Sequence, residues 1–397
     1  MGYSGAVKPL ASTNDRLDVL DGLRGVAILL VVWYHLWLVS GYAGPLAVVA
    51  RTIAQSGFLG VDVFFFLSGW CIAMPYARAR SANRPAPSVS DFAWRRALKI
   101  VPSYALALAI FALAFHDRFD GPFEEAIHLA AHAAFVHVFF PPTFGSLSGP
   151  LWTLGVEVQF YVLFALVAPF VMRRPFAAYA SLVAVSVVYR GLIAAFGLDT
   201  DFGWVNQLPA VLDVFGAGVL AAFVFTRAKR DARGAHPALG GVAAAAGVLF
   251  AAIALYGVVA ASSAGGDDAV HRWLNAWRIA FGPVLCLATL GIALGSVRLR
   301  AAVAFEPLRA LAAISYGAYL FNLEIVVAVA RFGLPAPAVF WIGALGTIVV
   351  AALVTYGFER PIQRYGEARL RAARVAGGFP RLFSPVQSTL TERSGAA

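Results

Sequence analysis

Apolar stretches that are long enough to cross a membrane as a helix, about 20 residues, recur along the whole chain. Short breaks rich in proline, glycine and charge divide them. Of the 397 residues, 60% are hydrophobic and only 13% are charged, whereas soluble domains carry about 25% charged residues. The sequence therefore predicts an all-α polytopic membrane protein.

Dividing the chain at its breaks predicts ten membrane-spanning helices. They cover residues 20–41, 57–76, 100–115, 150–172, 176–196, 207–226, 238–262, 276–296, 310–331 and 338–358. The run 127–140 is also apolar, but it is short and ends at Pro141 and Pro142. We therefore expect it to form an interfacial or re-entrant helix.

The distribution of charge predicts the orientation of these spans. With the N-terminus inside, most of the 31 basic residues fall on inner segments, as the positive-inside rule requires. A full crossing by 127–140 would break this pattern. We expect a cytoplasmic segment over 1–19, an integral-membrane domain over 20–365 and a basic, partly disordered cytoplasmic tail over 366–397.

The net charge of +10 is explained mostly by this orientation, so the expected partner is the lipid bilayer and not nucleic acid. Two basic clusters could also bind anions: RRALK at 95–99 and RAKRDAR at 227–233. Topology explains the first about as well as anion binding does, and explains the second better. Cys71 and Cys286 lie far from any paired-ligand spacing, so we expect neither a disulfide framework nor a metal site.

Two titratable residues stand in the first apolar stretch. Arg24 and His35 are eleven positions apart, which at 100° and 1.5 Å per residue puts them on one helix face, about 16 Å apart along the axis. Arg24 belongs to the inner third of the membrane and His35 to the outer third. Such residues are costly in hydrocarbon, so something must compensate for them.

Counting along the other helices predicts more polar residues at the depth of His35. They are Asp62, Glu157, Asp213, Asn322 and Glu324. We expect them to face one another around a hydrated outer cavity. The alternative is that each makes only a polar contact between two helices.

Six motifs stand in a fixed order along the chain: LDGLRGVAILLVVWYH, GVDVFFFLSGW, RRALKIVP, LWTLGVEVQFY, ISYGAYLF and FERPI. In order and spacing the chain resembles the membrane-bound acyltransferase-3 family, the O-acyltransferases of bacterial polysaccharides, peptidoglycan and some macrolides. The resemblance covers about residues 15–365.

This resemblance implies particular site residues. The arginine and histidine of the family's first helix match Arg24 and His35, its second-helix acid matches Asp62, and the glutamate of its SVEEQFY motif matches Glu157. Its basic inner segment matches Arg95, Arg96 and Lys99. The chain departs from the family where Asn322 and Glu324 replace a usual histidine and proline, and where Val158 replaces a second glutamate.

The implied activity is transfer of an acyl group, in the simplest case acetyl, from cytoplasmic acyl-CoA to a hydroxyl of an extracytoplasmic carbohydrate, in a bacterial inner membrane. A neutral imidazole suits removal of the hydroxyl proton near pH 7. His35 is the candidate base, with Glu157 or Asp62 as its orienting partner, and an acyl-histidine intermediate is a second possibility. Arg24 could bind a phosphate or polarise the thioester carbonyl.

The remaining candidates bind the donor or the acceptor. Arg95, Arg96 and Lys99 suit the phosphates of acyl-CoA. The candidate substrate-binding residues are Trp152, Tyr161, Asp213, Tyr316 and Asn322.

Two other functions fit the same residues. A proton-coupled transporter or lipid-linked glycan flippase would use the carboxylates and His35 to relay protons or bind substrate. A polyprenyl-phosphate glycosyltransferase would typically carry acids in its first outer loop, and residues 42–56 contain none.

Overall fold

The structure is a computed structural model that describes residues 14–42, 44, 47–114, 116–231, 237–295 and 297–375. In this part of the chain the secondary structure is helical, without strands, which confirms the predicted fold class. Most of the segment 1–19 and the end of the tail, from 376, lie outside the described residues.

Fifteen α-helices follow one another along the described residues. They are α1 Asn14–Ser40, α2 Ala47–Gln55, α3 Gly60–Ser81, α4 Val89–Ala114, α5 Pro122–Ala133, α6 Trp152–Arg173, α7 Pro175–Ala195, α8 Phe202–Val205, α9 Leu208–Arg230, α10 Pro237–Leu294, α11 Val297–Val303, α12 Glu306–Ala313, α13 Ser315–Ala330, α14 Ala336–Leu353 and α15 Arg360–Val375. A π-helical turn, Val354–Glu359, joins α14 to α15.

Within the described residues, eight helices are long and apolar enough to cross a membrane, and a ninth is added if α12 and α13 form one bent span. The bend between these two helices is 74°. The chain is thus a multi-pass membrane protein, as predicted. Residues 127–140 fall on the 12-residue helix α5 and the turn after it, which are too short to cross.

Two of the ten predicted spans, 238–262 and 276–296, lie in the single element α10. It is broken at Gly265 and Gly266, where Gly266 has a φ of 62°, a left-handed conformation that favours glycine. Only the apolar segment Tyr256–Leu294 qualifies as a span, and Gly240–Phe250 is a shorter apolar helix. This region accounts for the lower number of spans.

Close helix crossings hold the bundle together through glycines. A Cβ atom on Gly69 of α3 would collide with the backbone of Phe215 on α9, and one on Gly218 of α9 would collide with that of Phe66 on α3. Such small residues allow close packing of helices in membranes. On α1, Gly25 packs in the same way against the backbone of Leu308, which fixes the adjacent Arg24.

One end of the bundle carries many arginines. We call it the basic end: here α3, α6 and α9 end and α7 begins, and these termini line one cavity. The other end is called the opposite end, and α5 lies there in the connection between α4 and α6.

Candidate active site

A cavity of about 370 Å³ opens between α1, α3, α4, α6, α12, α13, the π-helical turn and α15. This volume is in the range of small-molecule sites. Basic side chains outnumber acidic ones in its wall. The charged residues are Asp21, Arg24, Arg96, Lys99, Glu157, Arg309, Glu359 and Arg360.

Arg24 reaches this cavity from α1. Its guanidinium donates to Asp21 Oδ1 over 2.9 Å and lies 3.7 Å from Cys71 Sγ. About a fifth of the side chain, 22%, stays accessible. The predicted inner arginine therefore faces a cavity and keeps donors available for a ligand.

The basic segment on α4 divides between the cavity and the surface. Arg96 and Lys99, three residues apart and so on one helix face, both line the cavity, while Arg95 is exposed and is not part of its wall. The Arg96 guanidinium stacks 5.5 Å from the Tyr161 ring, and its buried Nε has no hydrogen-bond partner in the described chain. Among the described residues, neither Arg96 nor Lys99 forms an ion pair.

Glu157 stands on the wall of this cavity, on α6. The hydroxyls of Ser68 and Tyr161 both donate to its Oε1 over 2.5 Å, and they lie 3.3 Å from each other. No described residue donates to Oε2, and this atom is not among the buried unpartnered ones. One carboxylate oxygen is thus anchored, and the other faces the cavity.

Ser68 and Glu359 are among the polar wall residues that sequence reasoning missed. Ser68 lies within the GVDVFFFLSGW motif, but a single hydroxyl in an apolar run carries no charge signal. Glu359 of the FERPI motif comes to the cavity on the π-helical turn, where Gln363 donates to its Oε1 over 2.7 Å. Short π-helical turns occur frequently at functional sites, and a charged residue in an apolar segment could have been the signal.

His35 has a different partner from the ones predicted. Its Nδ1 lies 2.6 Å from Asn322 Oδ1, and neither Glu157 nor Asp62 contacts it. The amide nitrogen of Asn322 donates to the carbonyl oxygens of Ala318 and Tyr319, which assigns the amide orientation. Oδ1 is then an acceptor, so His35 Nδ1 carries the proton and Nε2 keeps its lone pair.

The His35–Asn322 pair lies next to the cavity and not in its wall. Tyr319 lines the cavity, and Asn322 follows it on α13 after three residues, an axial rise of about 4.5 Å. The Tyr319 ring is fixed by a 2.9 Å hydrogen bond from Thr153 and by an edge contact with Phe64 at 5.8 Å. Both rings belong to the cavity wall.

The structure does not bring the predicted carboxylates together around one cavity with His35, although Asp62 and Asp213 lie close to each other. Asp62 accepts from Arg278 Nε over 2.9 Å, and Asp213 is bound by Arg190. All four side chains are buried. Each pair joins two helices, because a charge in hydrocarbon needs a compensating partner.

The third acid of that predicted cluster is also paired. Glu324 accepts from Arg118 over 3.0 Å. The catalytic role of Asp62 and the substrate-binding role of Asp213 stay predictions, but neither residue lines the cavity that holds Glu157.

Of the other predicted substrate-binding residues, two line the cavity. They are Tyr161 and Tyr316, and the Tyr316 hydroxyl donates to the Ile100 carbonyl over 2.8 Å. Trp152 is buried between the rings of Phe65 and Phe202, at 5.9 and 5.6 Å, outside the cavity wall.

A stacked histidine pair supports the start of α6. The rings of His132 and His137 are parallel, with centroids 4.0 Å apart, and His137 Nε2 lies 3.2 Å from the carbonyl oxygen of Leu151. Burial lowers the pKa of His132 to about 3 and that of His137 to about 4. Both rings are therefore neutral near pH 7. Within the described residues, no group of three or more His, Cys, Asp or Glu could hold a metal ion.

The family model of the acyltransferase-3 family, described as an acyltransferase domain, matches residues 17–356. The chain belongs to this family. Its motif residues Arg24, Arg96, Lys99 and Glu157 lie around one cavity. The protein is a membrane acyltransferase.

Curated relatives are similar over different lengths. The exopolysaccharide production protein ExoZ of Rhizobium meliloti is 27% identical over 341 residues, 81% of this chain and 94% of its own length. The O-acetyltransferase OatA of Staphylococcus aureus is 28% identical over 53% of this chain and 35% of its own length. YrhL of Bacillus subtilis is 31% identical over 39% of this chain and 24% of its own length. No solved structure matches the chain.

Proposed function

We propose that the protein transfers an acyl group, in the simplest case acetyl, from acyl-CoA to a hydroxyl of a carbohydrate or glycoconjugate acceptor. The observation that carries this proposal is a single cavity that is lined by both cations and a carboxylate. Arg96 and Lys99 have no ionic partner in the described chain, and Glu157 accepts hydrogen bonds from described residues at only one of its two oxygens. The similarity to OatA, an O-acetyltransferase, and to ExoZ, an exopolysaccharide production protein, supports the reaction and the acceptor class.

The donor enters at the α4 side of the cavity in this proposal. Arg96 and Lys99 bind phosphates of CoA, since cations without an ionic partner break no existing ion pair when an anion arrives. The thioester then lies deeper, toward Arg24 and Glu157. The arginine-rich inner segments support a donor side in the cytoplasm of a bacterial cell, at the inner membrane.

The acceptor hydroxyl is activated by His35, whose partner Asn322 lies almost one helical turn beyond Tyr319 on α13. Its Nε2 takes the proton of the acceptor hydroxyl while the hydroxyl oxygen attacks the thioester carbonyl. A C–O bond forms, the C–S bond breaks, and the proton that His35 took up passes on to the CoA thiolate, which leaves the imidazole neutral again. Asn322 holds the imidazole in the required tautomer through a neutral hydrogen bond, a part that sequence reasoning gave to a carboxylate.

The test is acyl transfer by purified protein in proteoliposomes that contain acetyl-CoA with a labelled acetyl group and an added glycan acceptor. We expect labelled glycan from the wild type and a loss of about 10²–10⁴ in turnover for His35→Ala, the usual contribution of a general base. His116→Ala, at an exposed histidine, is the control and keeps its turnover.

Two results contradict the proposal. If His35→Ala keeps more than about a tenth of the wild-type turnover, the histidine is not the base. If the wild type makes no acyl product but moves a lipid-linked glycan or protons across the vesicle membrane, the protein is a transporter or flippase.

A further inference from the structure

A second cavity, of about 770 Å³, lies at the basic end of the bundle. The end of α3, the turn between α6 and α7, and the end of α9 form its walls, and it shares no lining residue with the cavity around Glu157. Five arginines line it: Arg80, Arg173, Arg174, Arg227 and Arg230. Neither the family's motifs nor the proposed reaction uses this cavity.

The charge of these arginines is mostly uncompensated. Asp231 is the acidic residue of the lining, and it pairs with Arg230 at 3.4 Å and Arg227 at 3.8 Å. Among the described residues, Arg80, Arg173 and Arg174 form no ion pair. The positive-inside rule explains why arginines occur at this end, but not why unpaired ones from separate elements line one cavity.

The beginning of α7 adds backbone donors to the same cavity. This 21-residue helix starts at Pro175, and the preceding Arg174 makes no side-chain cap. Residues 175–177 line the cavity, so the free N–H groups of the first turn and the positive end of the helix dipole lie beside the arginines. A helix N-terminus of this kind favours an oxyanion.

Part of the wall is apolar. Phe176 at the start of α7 and Phe223 and Val224 on α9 lie beside the arginines, and the Arg80 guanidinium lies 5.9 Å from the Phe223 ring. Both α7 and α9 belong to candidate membrane spans. A ligand with a phosphate next to an alkyl chain would match both parts of the wall.

We propose that this cavity binds the headgroup phosphate of an anionic membrane phospholipid. Arginine binds phosphate oxygens through two parallel N–H donors, which gives geometric selectivity as well as attraction. Basic pockets between membrane helices bind anionic headgroups in the same way. A soluble phosphate compound, CoA included, carries the same oxyanion, so the experiment must separate the two sources.

The experiment measures lipid bound to the purified full-length protein by native mass spectrometry. Detergent micelles supply phosphatidylglycerol or phosphatidylcholine at equal concentration. We expect the wild type to retain phosphatidylglycerol in preference, and Arg173→Gln combined with Arg174→Gln to reduce that retention about tenfold or more. Arg364→Gln combined with Arg371→Gln, at exposed arginines of α15, removes equal charge elsewhere and leaves retention unchanged.

Two further arms make the result decisive. Arg173→Lys with Arg174→Lys keeps the charge but loses the paired donors, so we expect retention between those of the wild type and the glutamine variant. Arg80→Gln tests the same cavity from α3 if the α6–α7 variant does not fold. Equal retention of both lipids, or equal loss in the α15 control, overturns the proposal, and so does displacement of the lipid by equimolar CoA or inorganic phosphate.

Discussion

Carboxylates inside the bundle fall into two regions that compensate charge in different ways. In the core between α3, α7, α9 and α10, Asp62 and Asp213 are each bound by an arginine and sealed from solvent. On the wall of the first cavity, Glu157 accepts hydrogen bonds at one oxygen only from the described residues, and Lys99 has no ionic partner among them.

This difference separates residues that hold the fold from residues that can meet a substrate. An ion pair in the core compensates a buried charge, and burial keeps a ligand away even from Asp62 Oδ2, which has no hydrogen-bond partner among the described residues. A charge that faces a cavity exchanges water for a ligand at lower cost. Depth in the membrane, which sequence reasoning used to group these acids, does not distinguish the two cases.

The largest effect on stability is expected for a broken core pair. Asp62→Asn leaves the Arg278 guanidinium buried without its counter-charge, which costs about 3–5 kcal/mol of unfolding free energy. Thermal unfolding in detergent, followed by intrinsic fluorescence, measures it. Asp117→Asn, at an exposed carboxylate, is the control, and equal stability of the two variants would remove the distinction between the regions.

Removing the charged side chains that line the cavity is expected to weaken binding of the acyl donor rather than to destabilise the fold. Arg96→Gln with Lys99→Gln raises the KM for acyl-CoA about 10- to 100-fold, because charge-assisted contacts contribute about 1.5–3 kcal/mol each and solvent screens part of this. Arg95→Gln, on the same helix but outside the cavity wall, changes KM little. Steady-state kinetics in proteoliposomes measure the KM for acyl-CoA. An equal change of KM in both variants contradicts the assignment of Arg96 and Lys99 to donor binding.

The length of the apolar stretches was sufficient to predict most of the membrane-spanning helices, and the family motifs placed Arg24, Arg96, Lys99 and Glu157, which the structure brings together. The ion pairs were not predictable in this way, because the sequence does not show which arginine on another helix faces Asp213 or Asp62. Counting along one helix gives the depth of a residue in the membrane, but it does not show which neighbouring helix the side chain faces.

The partner of His35 shows a second limit of the sequence. Counting placed Asn322 at the depth of His35, but as one of several polar residues and as a candidate for substrate binding, and only the packing of α1 against α13 shows that it binds the imidazole. Helix rotation and packing, which determine such contacts, leave no signal in composition or spacing.

The stacked rings of His132 and His137 differ from the ion pairs of the core, because they are a buried polar pair without charge. Burial lowers the pKa of His132 to about 3 and of His137 to about 4, against an ordinary value of 6.5. Between pH 6.5 and about 4 the unfolded segment therefore binds more protons than the folded one. The stability of the segment decreases as the pH falls, by up to about 1.4 kcal/mol per pH unit for each histidine.

Hydrogen exchange of residues 122–152 as a function of pH measures this effect. We expect the protection factors, which are corrected for the slower intrinsic exchange at low pH, to fall through that window in the wild type, and to fall less in His132→Gln. Exchange with the same pH dependence in both proteins would mean that the stack does not titrate as described.

Turnover per folded molecule in two matched variants tests the central distinction most directly. Asp62→Asn combined with Arg278→Gln removes both charges of a core pair, and we expect turnover within about threefold of the wild type, since replacing both partners avoids an uncompensated charge. Glu157→Gln, nearly identical in shape, removes a negative charge from the cavity wall and should lower turnover about a hundredfold, the lower end of the range for a group that takes part in proton transfer. If the double variant loses as much turnover as Glu157→Gln, or if Glu157→Gln keeps most of it, the division between a structural core and a functional cavity is wrong.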